Sequence, residues 1–275
     1  MLTRIISAVV AIVIAAVVLF FHNTLVINIA VALLIGVALF ELFRAEDCLK
    51  FKVSQIVCYV FALAIPFSDY LLKLNKNIMY YIAAAFLLAM FVTFLGYYKT
   101  MKFEKLCVMI FFSGFVSLTM STLLYLHKSE GEHGLFCIIL TLCGAWLADS
   151  GAYFAGTFLG RHKLCPNISP KKTVEGLIGG VVTNGLIFVL LGFGYSKIAS
   201  GNIDMNYIAL FVLGMICALM GLLGDLSASL IKRQTGIKDY GNIMPGHGGV
   251  LDRFDSVLFV APFMTIALSI INIIK

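Results

Sequence analysis

Between residues 238 and 256 the chain reads KDYGNIMPGHGGVLDRFDS, which sets Lys238, Asp239, His247, Asp252, Arg253 and Asp255 among four glycines and Pro245. Gly241, Gly246, Gly248 and Gly249 allow backbone conformations denied to other residues and let N–H groups close on a phosphate. Pro245 fixes the turn. Asp252 and Asp255 stand at i and i+3, so both can face one cation. Hard carboxylate oxygens without a Cys or His cluster select Mg²⁺-like ions over zinc. A lone histidine is more often a hydrogen-bonding loop residue. His247, flanked by Gly246 and Gly248 with two aspartates nearby, reads instead as a phosphate contact.

Two further acidic residues lie inside apolar runs, where a charge costs about 2.5–3.5 kcal/mol at the centre of a span and marks function by default. Asp225, in GLLGDLSASLIKR, shares a helical stripe with Ser229 and Lys232 at i, i+4 and i+7. A carboxylate, a hydroxyl and an ammonium in a row suit a metal-bound phosphate; the plainer reading is an Asp225–Lys232 pair. Asp149, in GAWLADSGAYFAG, shares a face with Tyr153, Gly156 and Gly160; its plainer reading is a hydrogen bond to a neighbouring helix. The segment GRHKLCPNISPKKTVEG has Pro166 and Pro170 to hold a loop open. Thr173 can cap the next helix, with Glu175 in its first turn. Lys171 and Lys172 then lie beside a positive helix end, a setting for an anion, or else serve as ordinary topology anchors.

The elements that must position these groups follow from composition. Of 275 residues, 61% are hydrophobic and only 12% charged. A soluble domain carries about a quarter charged residues, so the chain is an integral membrane protein. Its apolar runs are unbroken and about twenty residues long, as helices require and barrel strands do not. The fold class is therefore all-α and polytopic, with about nine spans near 5–21, 25–43, 54–72, 78–97, 106–126, 135–158, 174–196, 206–230 and 250–273. The first run is followed by Phe-His-Asn rather than a small-residue cleavage site, and is read as a retained span. Seven scattered cysteines show no pairing or zinc spacing and read as packing residues. No Walker or G-x-G-x-x-G run is present.

Counting Lys and Arg on alternate sides of these spans puts fifteen of the twenty on the side of the N-terminus. The positive-inside rule then places the N-terminus in the cytoplasm. Loops 159–173 and 231–249 fall on that same side. Residues 1–130 form about five generic spans, and 131–275 form the catalytic part. The residues alone indicate a membrane enzyme that handles phosphate with a divalent metal. An ion-coupled transporter would need acids near the midplane in repeated halves, and only a faint echo links Asp149…Arg161 with Asp225…Arg233.

The segment SLIKRQTGIKDYGNIMPGHGGVLDRFDS (229–256) resembles the signature of the phosphatidate cytidylyltransferase family, through Ser229, Lys232-Arg233, Lys238-Asp239, Pro245 to Gly249 and Asp252-Arg253-Phe254-Asp255. Residues 149–176 resemble its second block, including Ser169, Lys171, Lys172, Thr173 and Glu175. The resemblance implies CTP plus phosphatidate giving CDP-diacylglycerol and pyrophosphate, with Mg²⁺ and a second cation left open. It also implies a bacterial inner-membrane protein, a homodimer, with no nucleic-acid partner. Asp225 and Asp252 are then metal ligands, with Asp149 and Asp255 as further candidates. Lys171, Lys172, Lys232, Arg233, Lys238 and Arg253 neutralise phosphates, with Asp239 and His247 in the same catalytic set. Tyr153, Ser169, Thr173, Glu175, Ser229, Gly246, Gly248 and Gly249 contact substrate. A CTP-dependent enzyme of isoprenoid lipids is the nearest alternative.

Overall fold

The computed structural model describes residues 2–199, 203–246 and 248–274. Among them, eight helical segments are long and apolar enough to cross a membrane: Leu25–Ala45, Lys52–Leu74, Ile78–Gly96, Phe103–Ser129, Gly131–Leu159, Val174–Ile198, Tyr207–Gln234 and Leu251–Ile270. Each overlaps an expected span. The remaining one, 5–21, is also helical (α1, Leu2–Phe20), although its apolar part Val9–Phe20 is shorter than a full crossing. The protein is an all-α polytopic membrane protein, and it divides into two compact units. One is Met1–Leu124 with Thr235–Arg253, the other Tyr125–Gln234 with Phe254–Lys275.

In the first unit, α2 (Leu25–Ala45) begins where the Thr24 side chain accepts a hydrogen bond from the Val26 N–H at 3.2 Å. Its buried ridge of Ile27, Val31, Ile35, Ala38 and Leu42 repeats at three to four residues, one face of a helix. α3 (Lys52–Ala64) stops just before Pro66, which has no N–H to continue the ladder, and the chain resumes as α4 (Ser68–Leu74). Asn28 of α2 donates to the Pro66 carbonyl at 2.7 Å, tying the break to its neighbour. α3 also packs on α5 (Ile78–Gly96), where Phe61 and Phe86 stack at 4.1 Å. α6 (Phe103–Ser129) runs from this unit into the next.

The second unit is built by close helix contact. α7 (Gly134–Leu159), α8 (Val174–Ile198) and α9 (Tyr207–Gln234) meet through small residues. Apolar side chains gain little by leaving lipid for protein, so helix association in a membrane depends on backbones approaching closely. A Cβ on Gly180 would lie 2.8 Å from the Ala148 carbonyl oxygen, and one on Gly214 would lie 2.6 Å from that of Asn184. The fully buried Asn184 amide donates to the carbonyls of Gly144 (3.2 Å) and Gly214 (2.8 Å), so one side chain joins three helices. The turn α10 (Leu251–Phe254) leads into α11 (Val257–Ile270), which packs on α9 and α7.

The 159–173 segment departs from the open loop expected of its prolines. Strands β1 (Lys163–Cys165) and β2 (Ser169–Thr173) pair antiparallel, with Lys163 opposite Thr173 and Cys165 opposite Ser169. A register shift lies between the two pairs, and Pro170 is accommodated in a two-stranded ribbon that is all edge. All seven cysteines are free, four of them buried, in keeping with packing roles. Burial pushes the Cys48 thiol up to about 11.

Replacing Gly180 by Val should overpack the α7–α8 contact and cost ~1–3 kcal/mol, read as a lower thermal midpoint in detergent. Gly194→Ala, where a Cβ meets no atom within 4 Å, should not lower it.

Candidate functional site

A cavity of about 500 Å³ opens in the second unit, walled by α7, α8, α9 and the β-hairpin. Its size falls in the range of sites for drug-sized ligands, roughly 300–1,000 Å³. Eight of the residues singled out in the sequence line it, seven with polar side chains and the eighth Gly156. α7 supplies Asp149 and Tyr153, β2 supplies Ser169, Lys171, Lys172 and Thr173, and α9 supplies Asp225. The expected α7 face is present: Asp149, Tyr153 and Gly156 all border the cavity, while Gly160 ends the helix against Thr173. Lys163 and Thr157 also line it and were not singled out in the sequence.

The hairpin and the helices contribute differently to the lining, with Asp149 and Asp225 set among the helical residues. Ala148, Leu177, Val181, Ala218 and Leu222 are apolar and lie farther along each helix from the hairpin; the lysines and Ser169 come from the hairpin itself. Such a space can take a ligand with a charged head and an apolar body.

Lys172 Nζ lies 2.5 Å from Asp225 Oδ2, with both side chains about three-quarters buried. Lys172 is thus an ion-pair partner that the fold gives Asp225 from outside its own helix. Thr173 caps α8 as its spacing suggests, accepting from the Gly176 N–H at 3.1 Å. Glu175 closes the base of the hairpin: it accepts from the N–H groups of Arg161 and His162 at 3.1 and 3.2 Å, and it stands 2.6 Å from His162 Nδ1. These contacts hold the strand that carries the lysines.

Beyond the cavity, α9 continues through Ser229 and Lys232 to Arg233, whose Nε donates to the Ile168 carbonyl in the hairpin turn at 3.4 Å. Asp255 is buried at the start of α11, accepts from the Ser256 N–H at 2.7 Å, and lies within electrostatic reach of Asp225, Asp149 and Lys232. Three carboxylates of the expected metal set therefore share one neighbourhood. No cluster of three or more His, Cys, Asp or Glu able to hold an ion by itself is assembled among the described residues. The donor set still fits a Mg²⁺-type ion, which is commonly held by one or two carboxylates together with substrate phosphates.

The remaining candidates belong to the first unit. Lys238 and Asp239 are exposed, and His247 lies outside the described residues. Gly246 and Gly248 have φ of 79° and 85°, where other residues are strained, and Met244 N–H closes on the Gly248 carbonyl at 3.1 Å. Asp252 Oδ2 accepts from the N–H groups of Tyr240 (2.8 Å) and Gly249 (2.9 Å), so the Gly249 N–H is committed within the loop. Arg253 is exposed. Sequence reasoning missed Glu41, fully buried on α2 and accepting from Val250 and Leu251 N–H groups. A carboxylate inside an apolar run was the signal applied to Asp149 and Asp225, and Glu41 carries it too.

Comparison with known proteins bears on this arrangement. A model described as the cytidylyltransferase family matches residues 2–271. The chain is 43% identical over 145 residues to the phosphatidate cytidylyltransferase of Bacillus subtilis strain 168, covering 53% of this chain and 52% of that one. It is 45% identical over 144 residues to that of Staphylococcus aureus strain COL, covering 52% of each. For Haemophilus influenzae the figures are 39% over 140 residues, 50% and 48%. The matched stretch thus spans about half the length of each relative.

The ion pair can be measured without any assay of activity. Lys172→Met and Asp225→Asn should each lower thermal stability, because each leaves a partly desolvated charge alone. The double variant should lose less than the sum, with a coupling of about 0.5–3 kcal/mol in the cycle. Strict additivity would mean that the pair does not form.

Proposed function

Because the chain belongs to the cytidylyltransferase family, we propose that it transfers a cytidylyl group from CTP to phosphatidate, releasing pyrophosphate. The observation that carries this reading is the mixed lining of the cavity: lysines on a hairpin, one of them paired with Asp225, beside apolar residues of the helix walls. A membrane lipid with a phosphate head matches both halves of such a space.

The reaction asks little covalent help of the protein. Phosphatidate is a phosphate monoester with a second pKa of about 6, so near neutral pH much of it is a dianion. One of its oxygens forms a bond to the α-phosphorus of CTP, the bond from that phosphorus to the β-phosphate oxygen breaks, and pyrophosphate leaves with the electron pair. Positioning and charge neutralisation supply the catalysis. Lys171, Lys172 and Lys163 provide ammonium groups, and Ser169 a hydroxyl, where phosphates would gather. Asp225 holds the Lys172 ammonium in place before substrate arrives, so less reorganisation is needed in the transition state. Leu177, Val181, Ala218 and Leu222 give the glycerol and acyl portion an apolar surface and keep water away. Asp225, Asp149 and Asp255 are the residues that would hold a Mg²⁺ ion, which when bound would offset the charge of the triphosphate. The same reading gives Lys232, Arg233, Lys238 and Arg253 to phosphate neutralisation and Asp252 to the metal.

The proposal extends to setting. An inner-membrane protein with its N-terminus and these loops in the cytoplasm is supported by the distribution of Lys and Arg, fifteen of twenty on one side. A homodimer is the expectation carried by the family resemblance.

Purified protein in mixed micelles, given labelled CTP with phosphatidate or a polyprenol, should form a labelled CDP-lipid only with phosphatidate and only with Mg²⁺, with pyrophosphate in equal amount. Product with polyprenol alone would overturn the substrate assignment. Lys172→Ala should lower kcat about 100-fold or more, the scale of losing one preorganised charge contact.

A further inference from the structure

Helix α2 carries two polar residues toward its C-terminal end, Glu41 and Arg44, and both engage the glycine-rich loop of the same unit. Arg44 Nη2 donates to the Tyr240 carbonyl at the start of the loop. Glu41 Oε1 accepts from the Val250 N–H at 3.0 Å and Oε2 from the Leu251 N–H at 2.8 Å, at its end. Between them Asp252 Oδ2 bonds the Tyr240 and Gly249 N–H groups at 2.8 and 2.9 Å, joining the two ends of the loop.

Two glycines show how closely the loop is fitted around Glu41. A Cβ on Gly241 or on Gly249 would clash with the Glu41 carboxylate, Oε1 being the nearest atom in each case. Their lack of a side chain is explained by this acid, which is 0% exposed. Every other feature of α2's buried face is apolar packing except Asn28. A carboxylate kept at such a place, and spent wholly on backbone N–H groups of a segment 209 residues away, has a loop to hold.

We infer that Glu41 is a positioning residue for the reaction: through Val250 and Leu251 it fixes the loop that presents Asp252, with Arg44 securing the other end. The inference rests on the function proposed above for its link to turnover, and on geometry alone for its hold on the loop.

Glu41→Gln preserves shape but loses one carboxylate acceptor, and Gly249→Ala attacks the same contact from the loop side. Both should raise amide hydrogen exchange of peptides covering 240–252 by about tenfold or more, as expected when a local opening equilibrium shifts, while peptides from α7 to α9 exchange as before. Both should lower kcat for cytidylyl transfer by about tenfold with little change in KM for CTP, the pattern of lost positioning rather than lost binding. Glu41→Ala should do so more strongly than Glu41→Gln. Unchanged exchange in the Gln and Ala variants overturns the inference. Raised exchange with unimpaired turnover overturns it as well. Absence of transfer by the wild-type protein would instead sink the reaction assigned to the site, and the exchange comparison would still decide whether Glu41 holds the loop.

Discussion

A carboxylate on an apolar helix must be matched where it stands, because the surrounding hydrocarbon offers it neither water nor counterion. The architecture of this protein follows from how it meets that demand. Asp225 is met by Lys172 from the hairpin. Glu41 is met by the backbone of a loop, and Asp255 by the N–H of the next residue. In each case the partner comes from a non-helical segment or a helix end. Acids on the helices and polar connecting segments are therefore fixed by the same contacts.

Small residues make this possible in the second unit. With glycine at positions 176 and 180, α8 lies directly against the backbone of α7, and the hairpin that leads into α8 is drawn over the cavity lining. Thr173 is both the last residue of β2 and the cap of α8, so strand and helix are joined without slack. Lys172, next to that cap, is held in turn by its ion pair with Asp225. A charge held rigidly is worth more to a phosphoryl-type transition state than a mobile one, since it need not be reoriented as charge shifts.

Much of this was readable from the chain, and the rest was not for a definite reason. The α7 face of Asp149, Tyr153 and Gly156 and the Thr173 cap are local, set by helical periodicity and by a side chain three residues from its partner. The long apolar runs announced the spans in the same way. The Lys172–Asp225 pair and the seat of Glu41 join segments far apart in the chain, and no periodicity encodes them. The local pairing that spacing offered was Asp225 with Lys232 on one helix, whereas Lys172 comes to Asp225 from a strand elsewhere in the chain. Two prolines suggested an open loop at 159–173, yet a ribbon of two short edge strands can carry Pro170 without losing an interior hydrogen bond.

We propose above all that nucleotide and lipid meet in the cavity between α7, α8, α9 and the hairpin. Thr157 is among its lining residues, and a cysteine placed there reports occupancy through its rate of modification by a methanethiosulfonate reagent, followed by mass spectrometry of that peptide. Saturating CTP and phosphatidate together should slow the reaction about tenfold, as ligand at roughly ten times its Kd leaves about a tenth of the sites open. A rate unchanged by both substrates, in protein that still turns them over, would contradict the account.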